Sequence, residues 1–150
     1  MGYLLDELFS SVPLLAGLSE ADKHYLSSQM GYAFVNFEDD DLIIKEGSAS
    51  TSFFILIRGN AKITRDNARD QFLTELNPGD VFGEMSYLTG NLRSANVVAS
   101  GRDVMAMRLS RELMQKMTPE IRDVLKDKLI ELLVQRINKM NDELLAAHHH

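Results

Sequence analysis

The sequence predicts a mainly β domain with a closed or double-layered sheet, flanked by helices at both ends. The 150 residues are 45% hydrophobic and 25% charged, which is ordinary composition for one globular domain. Between residues 33 and 109 the apolar runs are short, rich in β-branched and aromatic residues, and separated by turn residues. Helical spacing of apolar residues occurs on either side of this stretch. Regularly spaced short strands favour closed sheets, which leave few open edges.

Two helices are expected within residues 2–30. The first has its apolar residues at helical spacing, namely Leu4, Leu5, Leu8 and Phe9. Pro13 ends it, because a proline restricts the residue before it to extended conformations. Ser19 is the expected N-cap of the second helix, with Asp22 three residues later, and this helix should run to about Met30.

The range 33–109 is expected to form the sheet. We predict eight strands, near residues 33–37, 42–45, 52–58, 60–65, 71–76, 81–82, 96–99 and 103–109. The breaks between them fall at turn-forming residues, among them Gly59 and Gly101.

Helices are predicted again over residues 110–147. Ser110 is a plausible cap for a short helix, and Thr118 followed by Pro119 starts a long one. This long helix carries two apolar stripes. The first is Ile121, Val124, Leu125, Leu129 and Leu132, and the second is Ile130, Leu133, Ile137, Met140 and Leu144. Either both stripes pack on the sheet of the same chain, or the second, spaced like a short heptad seam, pairs with a partner protein or a second copy.

Composition excludes several classes of function. The chain carries 16 basic and 22 acidic residues, a net charge of −6, which argues against nucleic-acid binding by this chain alone. It has no cysteine, so disulfides and thiolate chemistry are excluded. Residues 148–150 resemble an expression tag, which leaves His24 as the one native histidine and makes a histidine-rich metal site improbable. No apolar run reaches the roughly 18 residues of a membrane span, and we expect a cytoplasmic protein.

The chemistry is concentrated in residues 77–99, which read NPGDVFGEMSYLTGNLRSANVVA. Gly83 precedes a helical turn whose first N–H groups can bind an anion. The guanidinium of Arg93 carries a planar array of N–H donors suited to binding phosphate, and Ser94 adds a hydroxyl donor. Glu84 can accept from a sugar hydroxyl. These residues indicate a phosphorylated sugar as ligand, while the alternative is a surface ion pair between Glu84 and Arg93.

This segment resembles the phosphate-binding cassette of the cyclic nucleotide-binding domain family. The resemblance is carried by Phe82-Gly83-Glu84-Met85-Ser86 and by Arg93-Ser94-Ala95. Residues 37–47 (FEDDDLIIKEG) and 53–63 (FFILIRGNAKI) resemble the paired β segments of the family, and residues 12–19 resemble the start of Crp-type bacterial members. The resemblance implies one domain over residues 1–147. Its fold would be an antiparallel β-roll (jelly-roll-like, a double-stranded β-helix) with N-terminal helices, a long C-terminal helix and the nucleotide inside the roll.

The resemblance also implies a role for each site residue. Arg93 would pair with the cyclic phosphate, Ser94 would donate to a phosphate oxygen, and Glu84 would accept from the ribose 2′-hydroxyl. The full set of expected ligand-binding residues is Gly83, Glu84, Met85, Ser86, Arg93, Ser94, Ala95 and Arg136. Two features depart from the family pattern. Leu92 replaces a proline, and Asp39-Asp40 replaces a glycine turn, which requires an aspartate to adopt the left-handed conformation.

The long helix often closes over the base in this family, which places Leu133, Arg136 and Ile137 near it. Arg136 would stack on the purine or reach its edge, unless it is a solvated helix charge. We expect a sensor of cAMP rather than cGMP that signals through this helix, without a cofactor and without enzymatic activity. The alternatives are the ligand-binding part of a longer Crp-type transcription regulator, or a degenerate roll used for protein contacts.

Overall fold

The fold is seen in a computed structural model, which describes residues 17–29, 33–68 and 72–148. The predicted first helix, with Leu4, Leu5, Leu8 and Phe9, lies outside these residues. In chain order the elements are α1 (Glu20–Gln29), β1 (Phe34–Phe37), β2 (Leu42–Ile44), β3 (Phe53–Thr64), a 3₁₀ turn (Asp66–Ala68), β4 (Phe72–Leu76), β5 (Val81–Phe82), α2 (Glu84–Thr89), β6 (Asn96–Leu109), α3 (Arg111–Lys116) and α4 (Pro119–His148).

Of the four helices in the described ranges, three begin at the residues that the sequence indicates. The side-chain oxygens of Ser19, Ser110 and Thr118 each accept a hydrogen bond from the backbone N–H three residues later, at 3.1, 3.0 and 3.3 Å. Each bond satisfies a donor that the first turn of a helix leaves unpaired. The predicted caps are therefore confirmed.

The six strands form an antiparallel sheet built around the two long strands, β3 and β6. The first half of β6 pairs with β2 and with the second half of β3, whereas its second half pairs with β1 and with the first half of β3. Strands β4 and β5 pair with the two ends of β3. This arrangement confirms the predicted antiparallel roll with helices beside it.

The predicted strand breaks at Gly59 and Gly101 are wrong. Each glycine lies inside one long strand, so the eight predicted strands correspond to six in the part of the chain that the structure describes. Both glycines have positive φ, 82° and 95°, and the pairing between β3 and β6 shifts register near Gly59 and then resumes. Positive φ therefore bends these strands without ending their hydrogen-bond ladder.

The apolar run at the start of β3 has both faces buried, and its alternation divides the core into two clusters. Phe53 and Ile55 face the helices and pack in a cluster that includes Ile121 and Leu125 of α4. Phe54 and Leu56 face the other way, into a cluster made of strand residues. In that second cluster the rings of Phe54 and Phe82 stack with centroids 5.2 Å apart. The helices thus pack on one side of β3, and the other side faces the interior of the roll.

The two apolar stripes of α4 have different environments. In the first stripe, Ile121, Leu125 and Leu129 are buried against the roll. In the second, Leu133 is half-buried against the same cluster, while the other members are 55–60% exposed: Ile130, Ile137, Met140 and Leu144. The interpretation that both stripes pack on the chain's own core is therefore wrong for the four exposed members of the second stripe. Pairing of that stripe with a partner stays a prediction.

Replacing Gly59 by alanine should destabilise the roll. An added Cβ would lie 2.9 Å from Cγ2 and 3.0 Å from Cα of Val104, and φ at Gly59 is +82°. Gly47 is the matched control, because its φ is also +82° but nothing lies within 4 Å of its Cβ position. We expect Gly59→Ala to lower the free energy of unfolding in urea by about 1–3 kcal/mol more than Gly47→Ala does. Equal losses in the two variants would contradict this close approach.

Candidate functional site

A cavity of about 400 Å³ opens between the strands, α2 and α4. All eight residues expected from the sequence line it: Gly83, Glu84, Met85, Ser86, Arg93, Ser94, Ala95 and Arg136. Leu133 and Ile137, the other two residues expected near the base, are not part of its lining. The cavity therefore joins the motif of residues 83–95 to one side chain from the middle of α4.

At Gly83 the backbone passes close to the Arg93 guanidinium. It has φ +76° and is the N-cap of α2. A Cβ there would lie 2.9 Å from Cδ1 of Ile44 and 3.0 Å from Nη1 of Arg93. A side chain at this position would displace the guanidinium as well as strain the backbone, so both the turn and the packing require glycine.

Arg93 is a buried cation, with only 4% of the residue exposed. Its Nη1 donates to the Gly83 carbonyl at 2.8 Å, and its Nη2 donates to the Ser52 carbonyl. Its backbone is also held, because its N–H donates to Ser48 and its carbonyl accepts from Gly47. Within the described part of the chain, its Nε is buried without a hydrogen-bond partner. Because a charge removed from water is costly unless it is paired, and because Arg93 lines the cavity, the site suits an anion.

The electrostatic environment of Arg93 also favours an anion. Burial lowers the pKa of the Arg93 guanidinium, the nearby Arg108 lowers it further, and Glu84 acts in the opposite direction. Arg108 is held beside the site by a bond from its Nε to Oγ of Ser52 at 3.1 Å. Because both desolvation and the second cation disfavour the charged form, an anion bound to Arg93 would offset both effects.

Glu84 provides the acceptor of the site. Its side chain is only 11% exposed and forms an ion pair with Nη1 of Arg136. The same guanidinium donates through Nη2 to the Val81 carbonyl at 2.7 Å. Arg136 is thus at the site as expected, but it contacts the carboxylate expected to bind the sugar. The sequence offered no signal for this pairing, since 52 residues separate the two.

Several lining residues were missed from the sequence. They are mostly apolar and come from the strands: Ile44, Ile63, Arg65, Thr74, Leu76, Val81, Phe82 and Val97. Alternation could have found some of them, because Ile63 and Arg65 share one face of β3 and its extension, and Thr74 and Leu76 share one face of β4. The contact between Arg93 and the Ser52 carbonyl could not be predicted from the sequence, because every residue has a backbone carbonyl oxygen.

The two departures from the family pattern have simple structural outcomes. Asp40 has φ 67°, which confirms that an aspartate adopts the left-handed conformation in the turn before β2. Leu92, in place of the proline, is 61% exposed on the loop before Arg93. Neither change removes a residue from the cavity lining.

Two other classes of site find no support in the described ranges. No group of three or more histidine, cysteine, aspartate or glutamate residues there could hold a metal ion. His24 is exposed on α1. Among the helices described, none has the length and apolar character that crossing a membrane requires.

Comparison with known proteins agrees with this geometry. The family model described as cyclic nucleotide-binding domain matches residues 34–119, more than half of the chain. The human cGMP-dependent protein kinase 2 is 28% identical over 110 residues, which are 71% of this chain but only 14% of that kinase. The chain therefore belongs to the cyclic nucleotide-binding domain family, whose members are regulatory modules.

Two solved structures show the same fold. The catabolite activator protein of Thermus thermophilus superposes with a TM-score of 0.71 at 26% identity, covering 88% of this chain and 61% of that one. A cyclic nucleotide-binding domain from Methylobacillus flagellatus superposes with a TM-score of 0.72 at 22% identity, covering 96% and 84%. The Thermus protein supports a Crp-like arrangement, and the second shows the fold alone.

Removing the Arg93 side chain should cost stability even without ligand. Methionine is similar in length but leaves the carbonyls of Gly83 and Ser52 without this donor. We expect Arg93→Met to lower the free energy of unfolding by about 1–3 kcal/mol, measured by urea denaturation. Arg102→Met, at an exposed arginine of β6, is the control and should change it by less than about 0.5 kcal/mol. Equal effects would mean that the Arg93 bonds do not support the fold.

Proposed function

We propose that this domain is a sensor that binds a cyclic nucleotide, cAMP in preference to cGMP, and signals through α4. The observation that carries the proposal is Arg93, a buried cation that lines the same cavity as Glu84. A cation and an acceptor at one site match a ligand that carries both a phosphate and a free hydroxyl.

Each site residue has a role in this proposal. The cyclic phosphate pairs with Arg93, next to the backbone of α2, and Ser94 donates to a phosphate oxygen. Glu84 accepts from the ribose 2′-hydroxyl, and Gly83 and Met85 line the sugar. The apolar wall formed by strand residues of the roll accommodates the uncharged part of the ligand. Binding and release are the whole of the proposed activity, which involves neither catalysis nor a cofactor.

The choice of cAMP rests on the Crp-like arrangement that the Thermus protein supports. The human relative is named for cGMP, but the chain spans a small part of it. Ser94 is compatible with either base. The comparison with the Thermus protein is also compatible with the alternative function, in which this domain is the ligand-binding part of a longer Crp-type regulator. A cytoplasmic location remains part of the proposal.

Signalling through α4 is supported by its position. One face of its first half is buried against the roll, while Arg136 in its middle contacts residues that line the cavity. A ligand that binds more tightly to one position of α4 than to another will shift the helix toward the first. The orientation of the helix then reports whether the site is occupied.

Calorimetric titration with cAMP and with cGMP tests the ligand and the site together. The phosphate should lose its charge-assisted bonds in Arg93→Ala, so we expect affinity to fall on the order of a hundredfold. Circular dichroism at the titration temperature confirms that the variant is folded. Arg102→Ala, at a residue that lines a different pocket and not this cavity, should leave affinity unchanged. If Arg93→Ala bound either nucleotide as the parent does, the assigned site would be wrong.

The second stripe of α4 is the proposed contact with a partner, most simply a second copy of the chain. Four of its members expose large apolar surface on one side of the helix: Ile130, Ile137, Met140 and Leu144. Sedimentation equilibrium should show a dimer that Ile137→Asp disrupts, because a charge in the seam loses its hydration. Gln135→Asp, an exposed change on another side of α4, is the control. A monomer at all concentrations would contradict self-pairing.

A further inference from the structure

The carboxylate expected to bind the sugar already has a partner from the chain itself. Glu84 is 8% exposed and pairs with Arg136, whose side chain is 43% exposed. The same guanidinium also donates to the Val81 carbonyl, so two bonds hold it beside the start of the motif. Arg136 thus already binds Oε1 of the carboxylate that a ribose hydroxyl would approach.

The contact also attaches the exposed C-terminal half of α4 to the roll. Every residue of α4 from 134 to 148 is exposed, whereas the buried residues of the helix end at Leu129. From this exposed half, Arg136 makes two hydrogen bonds to the roll, one to Glu84 and one to the Val81 carbonyl. Breaking the pair between Glu84 and Arg136 therefore removes one of these two attachments of the exposed half of the helix.

We propose that Arg136 competes with the ligand's 2′-hydroxyl for Glu84, and so sets how strongly the site distinguishes ribose from 2′-deoxyribose. This inference rests on the proposed function. A ribose nucleotide gains its bond to Glu84 only by displacing the guanidinium, and part of its binding free energy is used in that exchange. A 2′-deoxy nucleotide has no hydroxyl to offer and leaves the pair intact. Arg136 therefore lowers the affinity for ribose ligands selectively and couples sugar recognition to one of the contacts between α4 and the roll.

The competing account is that Arg136 is itself a ligand contact, stacking on the base as the sequence suggests. The two accounts predict opposite signs. If Arg136 competes, its removal tightens binding of the ribose nucleotide alone. If it contacts the base, its removal weakens the ribose and 2′-deoxy nucleotides by similar factors, since both carry the same base.

The experiment is calorimetric titration of the whole chain with cAMP and with 2′-deoxy-cAMP, repeated with the cGMP pair if that base binds more tightly. The variants are Arg136→Gln and Arg136→Met, with Lys139→Gln as an exposed control on the same helix. Because the pair is partly exposed and screened by solvent, we expect removal of Arg136 to tighten cAMP binding about three- to tenfold. Affinity for 2′-deoxy-cAMP should stay unchanged, and Lys139→Gln should match the parent for both ligands.

The outcomes separate this inference from the function on which it rests. If both nucleotides bind the parent but Arg136→Gln weakens them equally, the competition is overturned and the proposed function stands. Equal tightening of both ligands also overturns it, because the effect would not involve the 2′-hydroxyl. If no cyclic nucleotide binds the parent or the variants, both proposals fail. Hydrogen exchange of the ligand-free protein gives a second measurement: Arg136→Gln should speed exchange in residues 134–148, and an unchanged rate would mean that the pair does not hold α4.

Discussion

The site depends on holding one arginine charge out of water. The Arg93 guanidinium is buried, and hydrogen bonds to Gly83 and Ser52 from two other segments hold it in place. A side chain at residue 83 would displace it, so the glycine, the left-handed turn and the start of α2 are consequences of the same constraint. Because the cation is oriented before any ligand arrives, little reorganisation is needed to bind an anion.

The two long strands bring these segments together. β3 and β6 bend at Gly59 and near Gly101 but keep their ladder, so each contributes to both ends of the roll. Alternation along β3 separates the residues that pack on the helices from those that face the roll interior. α4 packs on the face of β3 that is turned toward the helices, while the Arg136 side chain of α4 contacts residues that line the cavity. The helix therefore contacts the core and the site at once, which is the arrangement that a sensor of occupancy needs.

Much of this could be predicted from local sequence signals. Helix starts at Ser19, Ser110 and Thr118 were correct, because a cap bonds to a residue three positions away. The motif of residues 83–95 was found because its members are close in sequence. The predicted number of strands was wrong, because a glycine in the sequence is equally compatible with a bend inside one strand and with a turn between two strands. The apolar lining was missed because each residue resembles ordinary core.

The amino-acid sequence by itself determined the mainly β class, the helix caps, the family and a compact set of site residues. These features depend on spacing over a few residues, or on a motif that is nearly contiguous. Only the tertiary structure decided that Ser52 supports Arg93, that half of α4 stays exposed, and that Arg136 meets Glu84. Those contacts join residues 41 and 52 positions apart, or leave a face uncovered. Such outcomes depend on which surfaces packing brings together, and no local pattern encodes them.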